Sequence, residues 1–154
     1  MTNLCSEVLS ALSGKTLVTA ESLTGGGIGS TLTGVAGASN VYKGGIISYT
    51  DWVKAQVLRV PAEYLQTFGA VSAPVAEAMA KGARAVLAAD VAVSVTGLAG
   101  PGGDEFGHEV GTVFIGYSDG AASFAREYHF EGDRQEVREQ TIRAALELVL
   151  EMNG

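Results

Sequence analysis

Three short stretches carry residues able to do chemistry. They are AESLTGGG at Ala20–Gly27, ISYTDWVK at Ile47–Lys54 and TGLAGPGG at Thr96–Gly103. In the first, the Ser22 hydroxyl can attack a carbonyl, and it stands beside Thr24 and three consecutive glycines. Bare backbone where a strand passes into a helix offers free N–H groups and the positive end of the helix dipole, which together hold a phosphate or a developing oxyanion. The spacing is not a Walker A, because no Gly-Lys-Ser/Thr follows, and not a nucleophile elbow, because Ala20 stands where a glycine is needed. A capped glycine-rich turn explains the same residues without any ligand. In the second stretch, Lys54 can act as the base for a serine if burial lowers its pKa, and the Tyr49 hydroxyl can relay a proton or orient the amine. A tyrosine at the edge of the core and a solvated lysine are the plainer alternative. In the third, Gly97, Gly100, Gly102 and Gly103 surround Pro101, either to aim backbone N–H groups at a ligand or to make a compact turn. Further on, GDRQEVREQTIR places Arg134 and Arg138 four residues apart on one helix face, suited to bidentate phosphate binding or simply paired with Glu136 and Glu139.

The elements that must position these groups follow from periodicity. Leu4, Val8, Leu9 and Leu12 give a helix over Asn3–Leu12, ended by Gly14. Thr16–Ala20 reads as a buried strand, Ile28–Val35 as a helix and Tyr42–Thr50 as the next strand. Asp51 is the expected N-cap of a helix to Val57. Pro61 and Pro74 stand in the first turns of two more helices, the second alanine-rich and reaching Ala88. Val91–Val95 is continuously apolar, as in strands buried on both faces. Val113–Tyr117 and Ala122–Phe130 flank Asp119-Gly120, a hairpin signal, and Asp133 caps a closing helix over Arg134–Met152. Helices alternating with buried strands predict an α/β fold, a three-layer α/β/α sandwich around a mixed, mostly parallel sheet, with residues 1–154 as a single domain. In such folds ligands bind beyond the carboxyl ends of the strands, where all three glycine-rich or hydroxyl-rich stretches fall.

Composition narrows the partners. The net charge of −7 argues against binding nucleic acid through phosphate neutralisation. One cysteine, Cys5, excludes an internal disulfide and fits a reducing compartment, and the two histidines form no metal motif. No apolar run reaches the length of a membrane span and the N-terminus lacks a signal pattern, so a cytoplasmic location is expected. None of the three stretches holds a histidine, which argues against a Ser-His-Asp arrangement there and leaves lysine as the remaining candidate base. The glycines do not form GxGxxG followed by an acid, so a dinucleotide-dependent oxidoreductase is disfavoured.

Taken together, AESLTGG (Ala20–Gly26), GGIISYTDWVKAQVL (Gly44–Leu58), GAVS (Gly69–Ser72), TGLAGPGG (Thr96–Gly103), VGTVFIGY (Val110–Tyr117) and GDRQEVREQTIRAAL (Gly132–Leu146) resemble the CinA C-terminal domain family, the nicotinamide-nucleotide amidases. The resemblance covers nearly the whole chain in the family's order. It implies hydrolysis of the carboxamide of nicotinamide mononucleotide to nicotinate mononucleotide and ammonia, with neither metal nor cofactor. It also implies that Ser22 is the nucleophile, that Tyr49 and Lys54 supply the base and the proton for ammonia, and that N–H groups around Thr24–Gly26 form the oxyanion hole. The substrate is expected on Glu21, Thr24, Gly25, Gly26, Gly97, Ala99 and Gly100, with Arg134 or Arg138 at its phosphate. A second possibility within the family is a non-catalytic nucleotide-binding accessory domain linked to competence or DNA damage. The chain departs from the family at Leu23, where many members carry a small polar residue or Cys, and at Asp51-Trp52, commonly Asn-Glu. Trp52 is placed either to stack on the pyridine ring or to cover the helix edge. Small α/β domains commonly associate, so a homo-oligomer is expected.

Overall fold

The branched apolar runs around Leu17, Val91 and Val113 become the three inner strands of a five-stranded sheet in a computed structural model that describes residues 1–154. In chain order the elements are α1 (Thr2–Ala11), β1 (Leu17–Glu21), α2 (Gly27–Thr33), a 3₁₀ turn (Ala38–Asn40), β2 (Tyr42–Ile47), α3 (Asp51–Gln56), α4 (Ala62–Phe68), α5 (Ala73–Val86), β3 (Val91–Gly97), β4 (Thr112–Ser118), β5 (Ser123–His129) and α6 (Arg134–Asn153). The strand order is β2-β1-β3-β4-β5. β1 pairs parallel with β2 and β3, while β4 is antiparallel to both β3 and β5. Four strands therefore run one way and β4 alone is reversed, giving the mixed, mostly parallel sheet that the sequence predicts. Glu21 lies level with Ile47 on one side and Val95 on the other, so the segments leaving β1, β2 and β3 emerge side by side.

Alternation along the strands divides the core. Leu17, Val91, Val93, Val95, Val113, Ile115 and Tyr117 face α1, α2 and α6. Val18, Ala20 and Ala92 face α5 and the Leu58–Val60 segment. The second face is built from smaller residues, so the alanine-rich α5 packs close: Ser94 Oγ donates to the Ala76 carbonyl at 2.6 Å, and a Cβ at Gly116 would collide with that carbonyl. On the first face, α6 is fixed at its start by a capping box in which Asp133 and Glu136 bond one another's backbone N–H groups. That cap sets the positions of Arg134 and Arg138.

Two boundaries differ from expectation in ways that matter for the site. β2 stops at Ile47, not Thr50, because the Ser48 and Tyr49 carbonyls turn to the Lys54 amine. The N-cap of α3 is Thr50, whose Oγ1 accepts from Val53 N at 3.4 Å, and Asp51 takes the first helical position. The hairpin forms as Asp119-Gly120 predicts, with the Asp119 carboxylate accepting from the N–H groups of Ala121 and Ala122.

Candidate active site

The segments leaving β1, β2 and β3 line a cavity of about 570 Å³, within the usual range for a small-ligand site. Ser22 comes from the first, Tyr49, Asp51 and Lys54 from the second, and Gly97, Ala99 and Gly100 from the third. Arg134, at the start of α6, closes one side.

Lys54 is 1% exposed and its Nζ lies 3.1 Å from Ser22 Oγ. The same nitrogen donates to the Ser48 carbonyl at 2.7 Å and to the Tyr49 carbonyl at 3.3 Å. A neutral amine has two N–H bonds and one lone pair. With both N–H bonds held by carbonyls, the lone pair is directed at the serine hydroxyl. Burial pushes the Lys54 pKa down from 10.5 to about 8, against an opposing field from Asp51 one helical turn away. About a tenth of the amine is thus neutral at pH 7, against a negligible fraction for an unperturbed lysine, which is what a base requires.

The rest of the predicted set divides by where the structure puts it. Gly97, Ala99, Gly100 and Arg134 line the cavity; Glu21, Thr24, Gly25, Gly26 and Arg138 do not. Glu21 is 2% exposed, and its carboxylate accepts from Thr19 Oγ1, Thr24 Oγ1, Ile28 N and Gly29 N. The Ile28 and Gly29 N–H groups in the first turn of α2 are therefore taken by the chain's own carboxylate. The glycines serve the backbone there: Gly26 caps α2 at φ 100°, and a Cβ on Gly27 would collide with Ile142 of α6. Arg138 donates to the Leu23 carbonyl at 2.9 Å and the Thr24 carbonyl at 3.2 Å. Arg134 donates to the Gly100 carbonyl at 2.6 Å and to the Tyr49 hydroxyl at 3.4 Å. Tyr49 thus orients the Lys54 amine with its carbonyl, while its hydroxyl stands with Arg134. Trp52 is 68% exposed and outside the cavity, which removes it from ring stacking here.

Several backbone donors have no partner within the chain: the N–H groups of Leu23, Thr24 and Gly26 on one side, and of Ala99 and Gly100 on the other. Sequence reasoning missed the opposite wall. Phe106 lies against Gly69, where any Cβ would collide with its ring, and with Leu65, Val71 and Leu98 it makes an apolar slot. Asp104 also lines the cavity; its carboxylate bonds the N–H groups of Phe106 and His108 and the His108 ring, stapling the loop. Across the whole cavity the three carboxyl groups of Asp51, Asp104 and Glu105 outnumber the two basic groups, Lys54 and Arg134. The glycines of Thr96–Gly103 signal a turn in the sequence, but the packing of Phe106 against Gly69 is a tertiary contact. No helix is long and apolar enough to cross a membrane, and no cluster of three or more His, Cys, Asp or Glu side chains is placed to hold a metal ion.

A mixed α/β sheet with a buried lysine against a serine at its carboxyl edge defines a class of small α/β domain that relatives of known sequence and structure resolve further. The family model described as CinA C-terminal domain matches residues 1–153, and the chain belongs to that family. A Pseudomonas putida protein named nicotinamide-nucleotide amidohydrolase PncC is 43% identical over 136 residues, covering 88% of this chain and 85% of that one. A CinA-like protein of Parasynechococcus marenigrum is 46% identical over 149 residues, and there the chain spans only 36% of the relative's length. Among solved structures, the competence/damage inducible protein CihA of Agrobacterium tumefaciens superposes with TM-score 0.95 at 38% identity, covering 99% of this chain and 95% of that one. A CinA superfamily protein of Enterobacter cloacae superposes with TM-score 0.96 at 32% identity, covering 99% and 92%.

Proposed function

We propose that the chain hydrolyses the carboxamide of nicotinamide mononucleotide to nicotinate mononucleotide and ammonia through an acyl-serine. The observation that carries this reading is the buried hydrogen bond between Lys54 Nζ and Ser22 Oγ, with both other amine contacts on carbonyls. The Ser22 proton passes to Nζ as Oγ attacks the carboxamide carbon. Backbone N–H groups receive the oxyanion, and Lys54 returns the proton to the departing ammonia. Water, deprotonated by the same amine, then attacks the ester carbon, and the amine passes that proton to Ser22 Oγ as the acid leaves. Tyr49, through its hydroxyl at Arg134, serves the substrate end of the cavity, and no step calls on a metal.

The cavity's charges favour a pyridine nucleotide over a neutral carboxamide. An N-ribosylated pyridinium ring carries a fixed positive charge, which suits the acidic lining and makes its carboxamide carbon more electrophilic. Arg134, with the free N–H groups of Ala99 and Gly100, suits the phosphate. The PncC name of the Pseudomonas putida relative supports the same reaction. Ammonia release from nicotinamide mononucleotide, measured with and without a chelator, tests it. Chelator-insensitive release is the expected result. No release from this or related carboxamides would leave a nucleotide-binding accessory domain as the reading. We place the reaction in the cytoplasm and the protein in a homo-oligomer, which a light-scattering mass determination checks.

The pH dependence has a definite sign. The base is active when deprotonated, so kcat/KM should rise about tenfold per pH unit on the acid side and level off near the Lys54 pKa of about 8. Asp51 holds that pKa up, so Asp51→Asn should move the acid limb to lower pH. An unmoved limb would mean that Lys54 is not the group being titrated.

A further inference from the structure

We infer that Arg138 is a positioning residue for the nucleophile's turn, fixing the peptide units on both sides of Thr24 so that the Thr24 N–H is held ready as an oxyanion donor. This rests on Ser22 being the attacking group. Arg138 reaches back from α6 across 114 and 115 positions to bond two successive carbonyls, those of Thr24 and Leu23. In a trans peptide the C=O and N–H point in opposite directions. Holding the Leu23 carbonyl toward Arg138 therefore turns the Thr24 N–H to the far side of the turn. Holding the Thr24 carbonyl fixes the Gly25 N–H in the same way, and that group bonds the Ser22 carbonyl at 3.1 Å. The Thr24 N–H is left with no partner in the chain, although Thr24 is 1% exposed. A buried N–H without a partner is uncommon, and although Thr24 is not itself part of the cavity wall, the two residues before it, Ser22 and Leu23, are.

Glu21 secures the same turn from the other side. Its carboxylate takes the Thr24 hydroxyl and the N–H groups of Ile28 and Gly29 in α2, while Arg138 takes the carbonyls. The turn is gripped by an anion on its donors and a cation on its acceptors, so it cannot rotate its peptide planes without breaking charge-assisted bonds. A guanidinium on a peptide carbonyl also polarises the attached N–H and strengthens it as a donor. Arg138 is thereby separated from Arg134, which faces the cavity and the substrate.

The test uses the full-length protein with two readouts. One is steady-state ammonia release from nicotinamide mononucleotide; the other is the single-turnover rate at which p-nitrophenyl acetate acylates Ser22. Arg138→Ala should lower both kcat and the acylation rate by about 100-fold, the scale of a lost oxyanion donor, with KM within about twofold. Millimolar guanidinium should restore part of the loss, and Arg138→Lys should fall between. A raised KM with kcat and acylation retained would overturn the inference in favour of substrate binding. Loss that guanidinium does not restore, accompanied by a lowered melting temperature, would overturn it in favour of a purely structural role. If wild type is acylated but releases no ammonia, and Arg138→Ala is still slow to acylate, the positioning role stands and the substrate assignment falls.

Discussion

Ser22→Ala is expected to lower ammonia release by at least about 10⁴-fold while substrate affinity stays within a few-fold. The size follows from the chemistry. An amide is a poor electrophile with a poor leaving group, and the acyl-serine divides its hydrolysis into two easier steps. Without Oγ, the remaining donors and the lysine can only assist water. The affinity should survive because Ser22 is small, 7% exposed, and only one part of a cavity also lined by Arg134, the Ala99–Gly100 loop and the Phe106 slot, where we propose the substrate is held. The variant should also fold normally, because the backbone of the turn is held by Glu21 and Arg138, not by the serine hydroxyl. Isothermal titration and an ammonia assay on the same preparation check both halves. A residual rate within tenfold of wild type would exclude Ser22 as nucleophile.

Lys54→Met is expected to reduce turnover by about 10³-fold, within the usual range for loss of a general acid–base group. Stability should barely change, and the reason is specific to this site. Depressing the pKa from 10.5 to about 8 means that the buried ammonium costs about 3 kcal/mol at neutral pH. Its three hydrogen bonds contribute about 1 kcal/mol each. Removing charge and bonds together nearly cancels. Between pH 8 and 10.5 the unfolded chain binds the proton that the folded chain has lost, so wild-type stability rises across that window. In Lys54→Met this rise should disappear. Thermal unfolding scans against pH check the stability half, and a collapse of the fold would contradict this balance.

Much of this site is legible in the amino-acid sequence. Ser22 directly follows a recognisable strand and Lys54 lies in the helix after the next one, and the parallel order brings the ends of those strands together, so a serine and a lysine 32 positions apart meet. The closing helix is equally legible, from Asp133, Glu136 and a regular apolar face. What the sequence does not disclose are contacts made by chain return. The bond from Arg138 to Leu23 depends on where α6 crosses α2, which no local pattern encodes. The three glycines after Thr24 look like a cradle for an anion, yet the N–H groups that hold one are those of Ile28 and Gly29, seven and eight residues past Glu21, and the anion is the Glu21 carboxylate. The end of β2 departs from its local pattern for a related reason. The residues Ser48–Thr50 have strand propensity, but two of their carbonyls satisfy the buried amine, and tertiary demand overrides local preference.

The most direct measurement is acid-quenched peptide mapping during turnover of nicotinamide mononucleotide. We expect a nicotinate-nucleotide ester on the peptide that contains Ser22, present in wild type and absent in Ser22→Ala. Product formation with the ester on a different residue, or with no covalent species on Ser22 at any time in a single turnover, would contradict the mechanism.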